Sequence, residues 1–423
     1  MASPGLLPPR VVRAMKNDPR MGNGIMNEAA GVIGPAVPVA RKPNATYGMA
    51  YFHRIMITAC VLGISAFGYA AAVRRILTDR RKLDRNHRVF PCGEWIRNVI
   101  ARVDAPLLTG SFASKISEQV SILKGLGVLS GRMDVAIDMH LIPRWDTKKT
   151  ADLARSKMKS GTTWFERYVT VQVVKAGSQI TVAARRMPAL EDTAAFVDQV
   201  ISLCGKGGVH IGTVLLDREF FSVRVIGVLD RAGVGYLMPC TNTDGVVAAI
   251  REFAAGRRPA VSTHTIRKSK NEYATYTMII TKRRRRKSKK KSSSTANPED
   301  IYIAFATNRP GINVNRYAKR WMIETGYRMI ENQRVRTRSK TVAARLLCFL
   351  YSMLVYNVWV IANAASTGNR VYPRVTQTDL MLNTIVDLLP WELISGIPPD
   401  CPCGCPCPCP CNCHAAPPDV VPS

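Results

Sequence analysis

Apolar side chains in the first third of the chain recur three and four residues apart, as with Ile116, Val120 and Leu123 in "SKISEQVSILKGLG" and again along "EWIRNVIARV". That spacing predicts amphipathic helices over 46–130. From residue 133 the period changes. "MDVAIDMHLI" is a β-branched, apolar run with Asp138 inside it, and "RYVTVQVV" (167–174), the turn "KAGS" and "QITVAARRM" (179–187) predict a hairpin. A helix follows across "LEDTAAFVDQVISLC", with Gly205 as its stop. The buried strand "VHIGTVLL" (209–216) then ends directly in Asp217, a helix over about 219–231 stops at Gly233, and "GYLMPC" (235–240) is a further strand. Three strands with hairpin-length joins, followed by strand, helix and strand, describe an antiparallel meander continued by a parallel crossover. The expected class is α/β with a mixed sheet, helices on both faces, and a helical region in front.

Residues 246–299 interrupt that pattern with one strand-like run, "EYATYTMIIT", and the strand "IYIAFATN" resumes it at about 300. Beyond it, "YAKRWMIETGYRMIENQ" (317–333) reads as one helix carrying Tyr317, Arg320, Glu324 and Arg328 on a single face. "LLCFLYSMLVYNVWVIANAA" (346–365) is apolar almost all round, which after a domain core predicts a buried helix. The uncharged run 55–73 is rich in Ala and Gly and reads as a helix-packing segment, so no stable membrane association is expected. Residues 1–45, punctuated by Pro, Gly and Arg, are expected to be disordered and lack the apolar core of a signal peptide.

Charge changes the picture. The 423 residues carry 60 Lys and Arg against 30 Asp and Glu, a net +30, which calls for a polyanionic partner and most often nucleic acid. Basic residues concentrate in "RRILTDRRKLDRNHR" (74–88) and in "KRRRRKSKKKSSS" (282–294), where Arg283, Arg284, Arg285 and Arg286 suit a DNA backbone or a solvated loop equally. Seven of the 12 Cys fall in the tail "CPCGCPCPCPCNC" (401–413), and the rest are scattered singly, as in a reducing cytosol. The Cys-Pro alternation excludes helix and packed strand, so 366–423 is expected to end in a disordered tail, with soft-metal binding beside His414 as the alternative. "GKGG" (205–208) is a helix stop and turn without the full phosphate-loop pattern.

Asp138 in one core strand and Asp217 at the end of another are costly charges unless paired or bound to a metal. Singly, each reads as a strand-end acid with an Arg partner. Together with Glu324, they offer hard oxygen ligands for two divalent cations, Mg2+ or Mn2+, acting on a phosphodiester. The six His are unclustered, which disfavours a zinc hydrolase.

These residues carry a resemblance. "VAIDMHLIP" looks like the first-Asp strand of insertion-sequence DDE transposases, and "LLDREFFS" resembles their second-Asp motif, with Asp217, Arg218 and Phe220. "YAKRWMIETGYR" is similar to the Tyr-x2-Arg-x3-Glu-x6-Lys signature of the branch whose catalytic domain is interrupted, with Tyr317, Arg320 and Glu324 matching; position 331 is Glu, so Arg328, Arg334 or Lys340 would replace its Lys. The resemblance covers about 130–365. It implies a ribonuclease H-like catalytic domain at 131–245 and 300–365, an insertion at 246–299, and a DNA-binding helical region at 46–130. It further implies metal-dependent strand cleavage and transfer in cut-and-paste transposition, with Asp138, Asp217 and Glu324 as catalytic metal ligands. Tyr317, Arg320, Arg328, Arg334 and Arg218 would contact DNA, and the protein would work as a synaptic homodimer on element ends and target DNA, cytoplasmic and nucleoid-associated. A degraded or domesticated copy that only binds DNA is the alternative.

Overall fold

The computed structural model describes residues 47–79, 90–145, 153–175, 179–283, 297–367, 376–378 and 381. The expectations for 1–45, for Arg284, Arg285 and Arg286, and for the Cys-Pro tail lie outside them. Four helices open the described chain: Met49–Leu62 (α1), Ala66–Asp79 (α2), Gly93–Ile100 (α3) and Ala105–Gly125 (α4). The sheet region follows with Met133–Arg144 (β1), Ala154–Lys159 (β2), Thr162–Val173 (β3), Ile180–Met187 (β4), Thr193–Lys206 (α5), Ile211–Leu216 (β5), Val223–Arg231 (α6) and Gly235–Pro239 (β6). Then come Asp244–Ala254 (α7), Val261–Arg267 (β7), Tyr273–Lys282 (β8), the single turn Pro298–Ile301 (α8), Tyr302–Thr307 (β9), Trp321–Asn332 (α9) and Val342–Thr367 (α10).

The expected mixed sheet is present. β1 pairs antiparallel with β3 and β3 with β4, while β1 runs parallel to β5 and β5 to β6. β9 then adds antiparallel to β6, followed by β8 and β7, so the strands of 261–282 extend the same sheet. Alternation along each strand sends successive side chains to opposite faces. Val135, Ile137, Val214, Leu216, Tyr236 and Met238 enter the large core. Ala136, Leu215, Leu237 and Phe305 face the other way and are covered by Ile323 and Tyr327 of α9. Gly326 permits that close approach, because a Cβ there would lie 2.4 Å from the Gln172 Oε1 on β3.

α10 is the helix among the described residues that is long and apolar enough to cross a membrane, and its apolar window is wholly buried inside the protein. Asn357 at its centre donates to Gln119 Oε1 of α4 (2.9 Å) and to the Thr181 carbonyl of β4 (2.8 Å), fixing how helix and sheet meet. The run 55–73 is broken: α1 and α2 are bent by 104° at Gly63, whose positive φ of 62° ends α1. The carbonyls of Gly63 and Ile64 accept from Arg336, docking the N-terminal helices onto the segment after α9.

Candidate functional site

The parallel register of β1 and β5 sets Ile137 opposite Leu216, so the next step along both strands brings Asp138 beside Asp217. Asp138 follows Ala136 by two and Asp217 follows Leu215 by two, which puts both carboxylates on the face that α9 covers. Asp138 lies within β1, six residues before its end, and Asp217 caps a 3-10 turn with its Oδ1 accepting from the Arg218 amide at 2.6 Å. Glu324 arrives from the first turn of α9.

One guanidinium joins all three. Arg320 Nη1 is 3.3 Å from Asp138 Oδ2, and its Nη2 is 3.0 Å from Glu324 Oε1 and 3.8 Å from Asp217 Oδ2. This corrects the sequence expectation in two respects. Residues 314–320 form a 3-10 helix and α9 begins only at Trp321, so 317–333 is not one continuous α-helix. Arg320 is buried at 7% exposure and sits among the carboxylates, where a continuous α-helix would have left it outside them. Arg328 does not flank Glu324 either, being exposed with its guanidinium 3.4 Å from Thr325 Oγ1.

Burial pushes the Asp138 carboxyl up to about 6, with Arg320 opposing and Asp217 and Glu324 adding to the rise. Burial alone would lower Arg320; Tyr317, Asp138, Asp217 and Glu324 outweigh it and raise it. Tyr317 is half-buried, its ring 5.1 Å from that of Phe305 and 5.8 Å from the Arg320 guanidinium. Burial raises the Tyr317 hydroxyl, and Arg320 opposes that shift.

Several supporting residues were not singled out from sequence. Asp134, on the same face of β1 as Asp138, holds the 3-10 helix through Arg316 (2.8 Å) and Lys319 (3.3 Å). Tyr327 donates to the Asp138 carbonyl at 2.8 Å and meets Thr170 Oγ1 at 2.6 Å. His140, two residues beyond Asp138, stacks on Tyr327 with ring centroids 4.7 Å apart and bonds Glu331 at 2.7 Å. The signal was period-two spacing: Asp134, Asp138 and His140 all fall on one side of β1. Glu331 also takes Arg334 Nε at 3.0 Å, so Arg334 is drawn to an acid at the position where the signature carries Lys. Burial raises Glu331, but His140, Arg334 and Arg336 outweigh it and lower its pKa overall. Arg218 is half-buried beside Asp217, and Lys340 is exposed, its carbonyl accepting from Arg144 at 3.2 Å. Arg283 stands apart, bonded to the Tyr302 carbonyl at 3.0 Å at the end of β8, three strands from β5.

Three carboxylates are hard donors that suit Mg2+ or Mn2+. As their side chains stand, Arg320 lies between them, and among the described residues no group of three acidic, His or Cys side chains is spaced to hold an ion. The donor chemistry fits such a cation, and a buried carboxyl raised to about 6 is one that a cation would relieve.

No family model matches the chain, and no curated protein matches it. Among solved structures, the piggyBac transposase synaptic complex with hairpin DNA, determined by cryo-EM, is similar at a TM-score of 0.46 and 11% identity, covering 91% of this chain and 80% of that one. A likeness of that size carries no functional argument; the residues of this chain have to.

Proposed function

We propose that this chain is a DDE transposase of the insertion-sequence type, cutting and transferring DNA strands at element ends. The observation that carries the reading is the convergence of Asp138, Asp217 and Glu324, from β1, the end of β5 and α9, on one guanidinium within 4 Å. The strand order β4-β3-β1-β5-β6, with β3 alone reversed, supports a ribonuclease H-like domain. Asp138, Asp217 and Glu324 would hold Mg2+ or Mn2+, which when bound supplies Lewis-acid chemistry to a phosphodiester. Asp138 and Asp217 are fixed by their strands, so the reacting phosphate is oriented by the sheet, and Glu324 closes the site from the helix. Tyr317, Arg218, Arg328 and Arg334 are the DNA contacts of this reading, and Arg320, beside the carboxylates, is the guanidinium that would meet a phosphate there. A net charge of +30 draws the protein to double-stranded DNA, element end or target, as a synaptic homodimer in the nucleoid.

Asp138→Ala, Asp217→Ala and Glu324→Ala are each expected to lower Mg2+-dependent nicking of an end-bearing duplex roughly a hundredfold or more. Duplex binding in EDTA should stay within about threefold, because none of the three is a phosphate contact. Nicking that persists in Asp217→Ala overturns the assignment. The hold of Arg320 on the carboxylates favours a second reading, a DNA-binding protein that no longer cleaves. Wild-type protein that binds ends tightly and never nicks them with Mg2+ or Mn2+ would select it.

A further inference from the structure

A cavity of about 1000 Å³ opens between α2 and α3 on one side and the segment 334–345 on the other. Five arginines line it, Arg97, Arg334, Arg336, Arg338 and Arg345, and among the described residues no acidic one does. Arg334 and Arg345 are turned inward to Glu331 and Glu166; Arg97 pairs with Glu94 at 3.0 Å and Arg336 lies 3.9 Å from Glu331, yet their side chains stay 64% and 55% exposed. Arg338 is exposed as well. The walls between these cations are largely apolar, and two aromatic rings stand at the edge: Trp145 at 64% exposure, and Phe67 at 42% with the Arg97 guanidinium 5.1 Å over its ring. Trp145 is held by its indole N–H, which donates to the Ser160 carbonyl at 2.9 Å, leaving its ring face uncovered by that bond.

Cations and flat apolar faces in one groove are the two parts of a surface for unpaired nucleic acid, phosphates meeting the one and bases stacking on the other. A duplex keeps its bases stacked inside and would bring only phosphates. Ile142 lines the cavity four residues along β1 from Asp138, about 13 Å at strand rise. We propose that this groove binds an unpaired DNA strand leading to or from the carboxylate site. The inference rests on the reading of the chain as a DNA enzyme.

The test uses the full chain in EDTA and a fluorescein-labelled 12-nucleotide strand, free or annealed to its complement, followed by anisotropy. Trp145→Leu should weaken single-strand binding about tenfold, Trp145→Phe should restore most of it, and duplex affinity should stay within about twofold in both. Arg336→Gln with Arg338→Gln should lower the slope of log K against log salt by roughly 1.4 on the single strand. The charge-matched pair Lys268→Gln with Lys270→Gln, on the β7–β8 turn, should leave that slope near wild type. Single-strand and duplex affinities that fall together, or a Trp145→Phe protein as weak as Trp145→Leu, overturn the groove. EDTA removes the metal reaction, so the two proposals fail separately. Nicking lost in Asp217→Ala with strand binding indifferent to residue 145 ends the groove alone. Wild-type protein that never nicks, but whose strand binding tracks residue 145, ends the catalytic reading alone.

Discussion

Two clusters of arginine and carboxylate hang from the same strand, six residues apart, and they are built oppositely. At Asp138, three acids share one guanidinium; at Arg144, two guanidiniums share one acid, Glu166, which also accepts from Tyr168. The second cluster is closed, with Glu166 at 0%, Arg144 at 6% and Arg345 at 9% exposure. It ties β1, β3 and the start of α10 together, and Arg144 and Arg345 also reach the carbonyls of Lys340 and Pro143. The first is open enough for Asp217 and Glu324 to keep side-chain exposures of 42% and 36%. An excess of positive charge sealed by backbone carbonyls is a structural joint. An excess of negative charge left open to solvent is, on the proposed reading, where a cation would enter.

That contrast is broken or kept by the stability of variants at three positions. Glu166→Ala strands two buried guanidiniums and is expected to lose about 3–5 kcal/mol in urea unfolding, with Glu166→Gln losing less. A loss below about 1 kcal/mol would mean the joint is not closed. His53 extends the comparison to a buried titratable group with no charged partner among the described residues. Burial lowers its pKa to about 4, and Tyr351 Oη lies 2.5 Å from its Nδ1. The unfolded chain therefore binds the proton more tightly, so stability present above pH 6.5 should fall by about 3 kcal/mol as pH drops toward 4. His53→Gln should flatten that decline, and an unchanged profile would show that other groups cause it. The smallest effect belongs to the open cluster. Arg320→Lys retains one charge but cannot span three carboxylates, and a loss of about 1 kcal/mol is expected because two of them are solvated. A loss as large as that of Glu166→Ala would erase the distinction between joint and site.

Much of this arrangement was legible in the sequence, and the exceptions have physical causes. β1, β3, β4 and β5 were readable because their apolar positions are buried on one or both faces, and the parallel crossover followed from strand, helix and strand. β2 and β7 were missed because "ARSKMK" and "VSTHTIR" bury almost nothing: their residues are exposed or alternate between exposed and half-buried, so no apolar pattern marks them. The position of Arg320 was misjudged because a helical spacing of 3.6 residues was carried through 317–320, where the chain winds as a 3-10 helix. The change of pitch at Trp321 turns Arg320 inward while leaving Glu324 where the sequence put it. Asp134, His140 and Glu331 were present in the same strand and helix patterns, but no local spacing marks a partner 185 or 191 residues away.

The pairing of β1 with β5 also fixes where this chain can change length. Its register is irregular between Met133 and Asp134 and regular from there to Ile137. One residue added between Val135 and Ile137 would turn Asp138 onto the face of the large core, opposite to Asp217. One residue added in the exposed turn Lys268–Glu272 would lengthen a hairpin at the far edge of the sheet and leave every carboxylate in place. Insertions and deletions in descendants of this sequence should therefore collect at the β7–β8 turn, while β1 keeps a constant residue count even where its composition drifts.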